Sequence, residues 1–296
     1  MKKNIRGSLI SAAVLALIIG PGLSSCSKAS EKNATEQGAP AANGNESAAA
    51  EQAGDTNGAT AQNAKALLKG MSDYLAAQKN ISMGFDSIFE VVSKDRQKLQ
   101  LATSGTVELS RPDKIHTTRK SGFSDTEMVF DGKTVTILGK GQNAYVQADA
   151  PGTVDNLIDQ LRDKFHRQLP GADLLQSDVY DGLMEDVTDI KDLGSGVING
   201  QECDHLAFRA KDTDWQIWIH QGANPYPCRY VITSKGVDQA PQFTLEVRDW
   251  KVGGSPGAAD FTFKAPAGAK KLDAKDIESL KDTSDLPDNY KIGATQ

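Results

Sequence analysis

Two cysteines and two histidines on neighbouring predicted strands are the residues best suited to chemistry in this sequence. In the strand register that buries alternate apolar residues, His205 lies directly opposite His220, and Cys203 and Cys228 gather at the same end of that face. Thiolate and imidazole groups are the ligands that zinc prefers in structural sites. The four residues stand singly on separate strands, without C-x-x-C or H-E-x-x-H spacing. The alternative is a cross-strand polar pair beside a disulfide, and we predict no metal site.

The sequence lacks the patterns of the common classes of enzyme. It contains no G-x-S-x-G motif, and no serine or cysteine has a histidine and an acid placed to activate it. No glycine-rich phosphate loop follows a strand and precedes a helix. His116 and His166 stand alone, and acidic pairs such as Glu185 and Asp186 are typical of a solvated helix surface. We therefore predict a protein that is not an enzyme and needs no cofactor.

The overall charge argues against a nucleic-acid partner. The chain has 296 residues, with 33 basic and 39 acidic side chains and a formal net charge of −6. No block of Lys or Arg supplies the clustered positive charge that phosphate neutralisation requires. The length is sufficient for one large domain or two small ones, each with its own core.

The first residues have the pattern of an export signal. A basic start, residues 1–7, precedes the apolar run 8–19, as in a secretory signal peptide. Residues 23–26, Leu-Ser-Ser-Cys, resemble the lipobox of bacterial lipoproteins, in which the cysteine is acylated and the leader is cut just before it. The resemblance implies that residues 1–25 are removed and that Cys26 anchors the protein in a membrane. The alternative is an ordinary secreted protein with a cysteine near its cleavage site by chance.

The resemblance to lipoproteins bears on location and on the other cysteines. Ser27 rather than Asp follows Cys26, which implies the outer membrane by the sorting rule of enteric-type bacteria.

An oxidising periplasm favours a disulfide between Cys203 and Cys228. Strand geometry opposes it, because one intervening strand separates their Cα atoms by about 9–10 Å, beyond the limit of about 7 Å for a disulfide. The bond requires the middle strand to end or splay near Gly222.

Composition divides the remaining chain into a tether, a body and a tail. Residues 27–62 contain no Val, Ile, Leu, Met, Phe, Trp or Tyr. A segment with nothing to bury cannot offset the entropy lost on ordering, so we predict that residues 26–62 are a lipidated, disordered tether. The folded domain is predicted to span 63–272, and 273–296 form a polar C-terminal tail.

The periodicity of the body predicts a mainly antiparallel α+β fold. Residues 64–78 and 154–165 carry apolar stripes at helical spacing, and a second helical patch covers about 172–187. Alternating or short apolar runs predict strands, which are 81–92, 97–109, 113–120, 126–130, 134–138, 144–147, 202–210, 215–221, 228–233, 242–250 and 260–264. A sheet of about 10–11 strands must curl. We predict an open half-barrel whose concave face is covered by helices.

The apolar faces of these elements are the candidate ligand site. The sheet residues predicted to line the concave side are Leu99, Leu101, Val107, Leu109, Leu206, Phe208, Trp215, Ile217 and Ile219, and the helical residues above them are Leu157, Ile158, Leu161 and Phe165. A binding protein should keep several hundred Å³ of space between the two sets. The alternative is that helices and sheet pack together and leave no cavity.

Several stretches resemble one bacterial protein family. The most specific are DWQIWI and the following PYPCRYVIT, within a resemblance that covers about residues 65–272. The sequence is similar to a family of predicted periplasmic proteins of unknown function, thought to share the fold of the lipoprotein carriers LolA and LolB and of LppX. That fold implies a half-barrel with a helical lid over a cavity for a hydrophobic ligand, such as an acyl chain, a lipid or a lipoprotein. The alternative is a non-catalytic envelope interaction or sensor module that contacts a protein partner.

Overall fold

The computed structural model describes residues 53–163, 171–254 and 261–274. The helical elements are α1 (Ala53–Ala77), α2 (Val154–Asp163), a 3-10 helix (Ala172–Leu175) and α3 (Val179–Met184). The strands are β1 (Asn80–Val92), β2 (Lys98–Ser110), β3 (Lys114–Ser121), β4 (Asp125–Phe130), β5 (Thr134–Gly139), β6 (Ala144–Asp149), β7 (Asp189–Ile198), β8 (Gln201–Arg209), β9 (Thr213–His220), β10 (Pro227–Ser234), β11 (Gln242–Val252) and β12 (Lys270–Leu272). The predicted signal peptide, Cys26, Phe165 and most of the predicted tail lie outside the described residues.

The twelve strands of the described residues form one sheet, in the order β12-β6-β5-β4-β3-β2-β1-β11-β10-β9-β8-β7. Every neighbouring pair is antiparallel except β12 and β6. Strand β1 pairs with both β2 and β11, so it joins the two halves of the chain. In the described part of the chain β12 and β7 are the edges, and the sheet does not close on itself. The predicted open, mainly antiparallel fold is confirmed.

Two strands that the sequence did not predict account for the larger strand number. β7 lies at an edge with one neighbour, and its apolar pattern is interrupted by an irregularity between Asp192 and Ser195. β12 has three residues and only Leu272 is apolar. Neither segment buries enough apolar surface to produce a strand pattern. Conversely, residues 261–264 of the predicted strand 260–264 do not form a strand.

Helix α1 begins earlier than the sequence predicts. It starts at Ala53, so residues 53–62, assigned to the disordered tether, are helical. The later turns are held by burial of Leu68, Met71 and Leu75. Once those turns are formed, each further residue adds one hydrogen bond without a new nucleation cost, and alanine and glutamine extend a helix with little penalty. No helix in the described ranges combines the length and apolar character needed to cross a membrane.

The β8–β9 hairpin differs from the prediction in register but not in face. Phe208 pairs with Trp215, whereas the predicted pairing of His205 with His220 sets Phe208 opposite Ile217. The backbone N–H of Ala210 donates to the carbonyl of Thr213 at 2.8 Å, so the connection contains two residues rather than the four that the predicted pairing implies. A shift of two residues preserves the side on which each side chain lies. The same apolar residues are therefore buried as predicted.

One face of the sheet carries the helices, and we call it the inner face. Helix α1 packs against β7, β9 and α3. The buried residues of α1, α2, the 3-10 helix and α3 share one hydrophobic core with most of the buried strand residues, and Ala144 and Val146 belong to a second, small cluster. The inner face is therefore continuous with the helical layer above it.

Candidate functional site

The predicted ligand-lining residues come together on the inner face, with two exceptions in the described residues. Ten of them lie in the core shared with the helices, each no more than 4% exposed: Val107, Leu109, Leu157, Ile158, Leu161, Leu206, Phe208, Trp215, Ile217 and Ile219. Leu99 and Leu101 are partly exposed and do not belong to this core. They lie at the start of β2, next to its connection to β1. The ten residues pack against the helices and one another.

Tyr230, which was not among the predicted lining residues, joins Phe208 and Trp215 in an aromatic cluster on this face. The rings of Phe208 and Trp215 stack at 3.9 Å between centroids, and Tyr230 meets Trp215 edge-on at 6.0 Å. Tyr230 and Phe130 are among the largest fully buried side chains, and burial raises the pKa of the Tyr230 hydroxyl far above its usual range. The alternation of apolar residues in β10 was the available signal for Tyr230.

Three short helices, α2, the 3-10 helix and α3, cover the inner face beside α1, and we call them the lid. They contain 10, 4 and 6 residues. Isolated helices shorter than about 12–15 residues are marginal in water, so the lid depends on its packing. Its buried residues, listed together, are Val154, Leu157, Ile158, Leu161, Leu174, Leu175, Val179 and Leu183.

Polar contacts attach the lid to its surroundings. The Arg111 guanidinium, at the end of β2, donates to the carbonyl of Gln176 at 3.2 Å. The backbone N–H of Tyr180 donates to the Ser72 hydroxyl of α1 at 3.0 Å. Burial lowers the pKa of Arg111, and the charge of Asp155 on α2 partly offsets that effect. Arg111 therefore links the sheet to the lid electrostatically and by a hydrogen bond.

Burial of Asp173 in the lid makes the stability of the domain depend on pH. Arg162 lies 2.8 Å from the carboxylate of Asp173, yet burial raises the pKa of Asp173 above its ordinary value of 3.8 despite that pairing. A raised folded-state pKa means that the native state binds the proton more tightly than the unfolded chain does. This contribution to stability is complete below pH 3.8 and is lost as the pH rises through the folded-state pKa.

Replacing Asp173 by asparagine tests this sign. We expect the Asp173→Asn variant to gain stability relative to the wild type between about pH 3 and about pH 7, because only the wild type acquires a partly buried charge over that range. Urea denaturation at a series of pH values measures the difference. A wild type that gains stability over the variant as the pH rises would show that the Arg162 ion pair outweighs desolvation.

The two cysteines of the body form a disulfide. Cys203 and Cys228 are bonded to each other across β9, with their Cα atoms 7.1 Å apart. The separation is smaller than the value of about 9–10 Å expected from strand spacing, because β9 ends at His220 and the β9–β10 register shifts between Pro227 and Arg229. Both thiols are used in this bond and are not available as metal ligands. Among the described residues no group of three potential ligands has metal-binding geometry.

The histidines make separate structural contacts. The predicted His205–His220 pair is wrong, because the observed register sets His205 opposite Trp218 and His220 opposite Cys203. His205 stacks on Trp218 at 4.0 Å and shares a hydrogen bond of 2.9 Å with Gln216. His220 stacks on Tyr226, which in turn stacks on Trp250. His116 lies 3.1 Å from a carboxylate oxygen of Glu127, and His166 lies outside the described residues.

The fold and the inner face together define the structural class of this protein. This is an α+β half-barrel, an open antiparallel sheet with a helical cover over an apolar inner face. The chain belongs to the family of predicted periplasmic proteins designated DUF2092, whose family model matches residues 64–274. The resemblance inferred from the sequence is confirmed, and the family places the protein in the cell envelope. No curated protein matches the sequence significantly.

Several solved structures are similar to this chain at low sequence identity. An uncharacterized conserved protein from Thermus thermophilus is 13% identical, with 72% of this chain and 99% of that chain covered and a TM-score of 0.42. LprF from Mycobacterium bovis is 13% identical, with coverages of 69% and 98% and a TM-score of 0.42. The lipoprotein LppX from Mycobacterium tuberculosis is 12% identical, with coverages of 66% and 98% and a TM-score of 0.34.

Proposed function

We propose that this protein is anchored to the outer membrane through acylated Cys26 and binds an acyl chain or similar hydrophobic ligand between the inner face and the lid. The observation that carries the proposal is the pairing of a broad apolar inner face with a cover of three short helices. Such a cover has little stability of its own. Movement of the lid would expose its own buried residues, such as Leu157 and Leu161 of α2, together with the part of the inner face that they cover, to one ligand.

The energetics favour a ligand that replaces the lid contacts with equivalent apolar contacts. Exposing the inner face to water costs about 25 cal/mol for each Å² of apolar surface. An acyl chain that enters as the lid moves recovers that cost, because it covers the same surface. The ligand is therefore expected to be long and apolar, with a polar end at the rim where Arg111 and Asp155 lie.

A second candidate function is a non-catalytic interaction or sensor module whose interior stays filled. The observation that favours it is the burial of ten inner-face residues at 4% exposure or less. In that case a protein partner binds the outside of the domain, and the lid never moves. The two candidates differ in whether an apolar probe enters the domain.

Native mass spectrometry and fatty-acid uptake separate the two candidates. We use the full-length Cys26→Ser protein purified from its own periplasm without detergent. A bound mass, together with uptake of a fluorescent fatty acid, supports the carrier function. A ligand-free mass together with no uptake contradicts it and favours the interaction module, which crosslinking to a single protein partner would then identify.

A variant that weakens the attachment of the lid at Arg111 tests whether the ligand enters through movement of the lid. We expect Arg111→Ala to take up the fluorescent fatty acid faster than the parent protein, because the hydrogen bond to Gln176 is lost. The matched control is Arg96→Ala, since Arg96 is exposed and pairs with Asp238 away from the lid. Equal uptake rates in all three proteins would contradict entry through lid movement.

The membrane anchor is tested by fractionation of the native host. We expect Cys26→Ser to move the protein from the membrane to the soluble fraction, because each buried acyl methylene contributes about 0.8 kcal/mol to membrane binding. A Ser27→Asp variant keeps the acylated cysteine and is expected to stay membrane-bound but to shift to the inner membrane. Unchanged membrane fractionation of Cys26→Ser would show that Cys26 is not the anchor.

A further inference from the structure

A cavity of about 390 Å³ lies on the outer face of the sheet, on the side opposite the lid. Strand residues that line it, such as Val129 and Thr136, alternate with Phe130 and Val135, which belong to the inner core. The volume falls within the range of about 300–1,000 Å³ that is usual for ligand pockets. The cavity is therefore separate from the inner face and is not used by the proposed function.

The strand side of the cavity presents polar groups that are already oriented. The side-chain amide of Gln147 donates to the Thr136 hydroxyl at 3.0 Å, and Thr136 is only 2% exposed. One carboxylate oxygen of Asp131 accepts the backbone N–H groups of Lys133 and Thr134 at 2.9 and 2.8 Å. Burial alone would raise the pKa of Asp131, but the hydrogen bonds from these N–H groups outweigh that effect. The pKa of Asp131 is therefore below its ordinary value of 3.8. Asp131 is thus a fixed, charged acceptor.

Two further residues that line the cavity are charged, and neither forms an ion pair with another described residue. Asp149 ends β6 and Lys271 lies in β12, and both line the cavity. Neither side chain has a hydrogen-bond or ion-pair partner among the residues that the structure describes. Their polar atoms are available to a ligand without breaking a contact to another described residue. Exchange of water for a ligand at such groups costs little.

Aromatic side chains complete the lining from the segment that precedes β12. Phe261 and Phe263 both contribute to the cavity and are partly buried. The ring of Phe263 packs against Tyr145 of β6 at 5.0 Å between centroids, tilted by 48°. This contact holds the Phe263 ring on the outer face. The cavity therefore combines flat apolar rings with carboxylate, amide, hydroxyl and ammonium groups.

We propose that this outer cavity binds a short saccharide. A pyranose ring has an apolar C–H face that packs on an aromatic ring, and a rim of hydroxyl groups that bond to planar carboxylate and amide groups. Phe261 and Phe263 match the first feature, and Asp131, Gln147 and Asp149 match the second. A lipid tail is a poorer match, because the strand side of the cavity is polar. The periplasmic location of the family gives the protein access to the saccharides of the cell envelope.

Binding of defined sugars to the full-length Cys26→Ser protein tests the proposal. The probes are the β-1,4-linked disaccharide of N-acetylglucosamine, and maltose. We expect saturation-transfer NMR signals and a Kd on the order of 1 mM for at least one of them, because a partly open polar site gains little net free energy. No binding of either sugar at roughly twenty times that concentration would overturn the proposal.

Variants of the lining residues locate the site. Asp149→Asn and Phe263→Ala are expected to weaken binding by about tenfold or more, since each removes one class of contact. Asp212→Asn, in the β8–β9 turn far along the sheet, is the matched control and should bind as the parent does. Asp149 is exposed, so its variant should keep the fold, which circular dichroism checks. Binding that survives both lining variants unchanged would overturn the assignment of the cavity.

Discussion

Replacing Trp215 by alanine is expected to lower the free energy of unfolding by about 3–5 kcal/mol, the range measured for truncating a large buried aromatic side chain. Trp215 is 3% exposed and lies at the centre of the inner face. The substitution removes its stack on Phe208 and its edge contact with Tyr230. It also leaves a void that the surrounding strands, fixed by their hydrogen bonds, cannot close. Urea denaturation of the Cys26→Ser protein, followed by far-ultraviolet circular dichroism, measures the loss.

Trp218 on the same strand is the matched control for this prediction. Its ring lies on the outer face, where it stacks on His205 and carries the Arg229 guanidinium at 5.4 Å. It is only partly buried, so Trp218→Ala should cost about 1–2 kcal/mol through the lost stacking and cation–π contacts. Equal losses for Trp215→Ala and Trp218→Ala would contradict the assignment of the inner face as the core.

Removal of the disulfide is the second large expected effect. The Cys203→Ala/Cys228→Ala double variant is expected to lose about 3.5 kcal/mol of stability, because the bond closes a loop with a sequence separation of 25 residues and so restricts the unfolded chain. Both sulfurs are buried, and alanine fills their positions without introducing a polar group. The free energy of unfolding in urea, with and without dithiothreitol, measures the change.

Reduction provides the control for the disulfide prediction. Dithiothreitol should lower the stability of the parent protein close to that of the double variant and leave the double variant unchanged. A parent protein whose unfolding midpoint is insensitive to the reductant under unfolding conditions would show that the bond does not form in the oxidised protein. A double variant as stable as the oxidised parent would show that the loop-closure argument fails here.

The alternation of apolar and polar residues made most of the strands predictable, because one face of each strand is buried and the other is exposed to solvent. Thr213–His220 is the clearest example, since its residues alternate strictly between buried and partly exposed. Such a pattern reports which side chains face the core, whatever the partner strand is. The edge strand Asp189–Ile198 alternates only between exposed and partly exposed residues, with a break at its irregularity, because it buries little on either face. For the same reason it was not predicted.

Periodicity did not determine which residues lie opposite one another. A change of two residues in the β8–β9 register buries the same side chains, so the apolar pattern alone cannot distinguish the two registers. The length of the turn after Ala210 decides between them. The separation of His205 from His220 and the approach of Cys203 to Cys228 both follow from that local choice and from the end of β9.

The sequence by itself predicts an export signal and determined the apolar faces and the family, because each depends on the order of residue types along the chain. The tertiary structure alone decided how those faces are used. In that structure the inner face packs against the lid, and Cys203 lies within bonding distance of Cys228. Phe263 lies beside residues of β4 to β6 at the outer cavity. These are contacts between segments far apart in the chain. They depend on strand pairing and on the space left between packed layers, which no local pattern of residue types encodes.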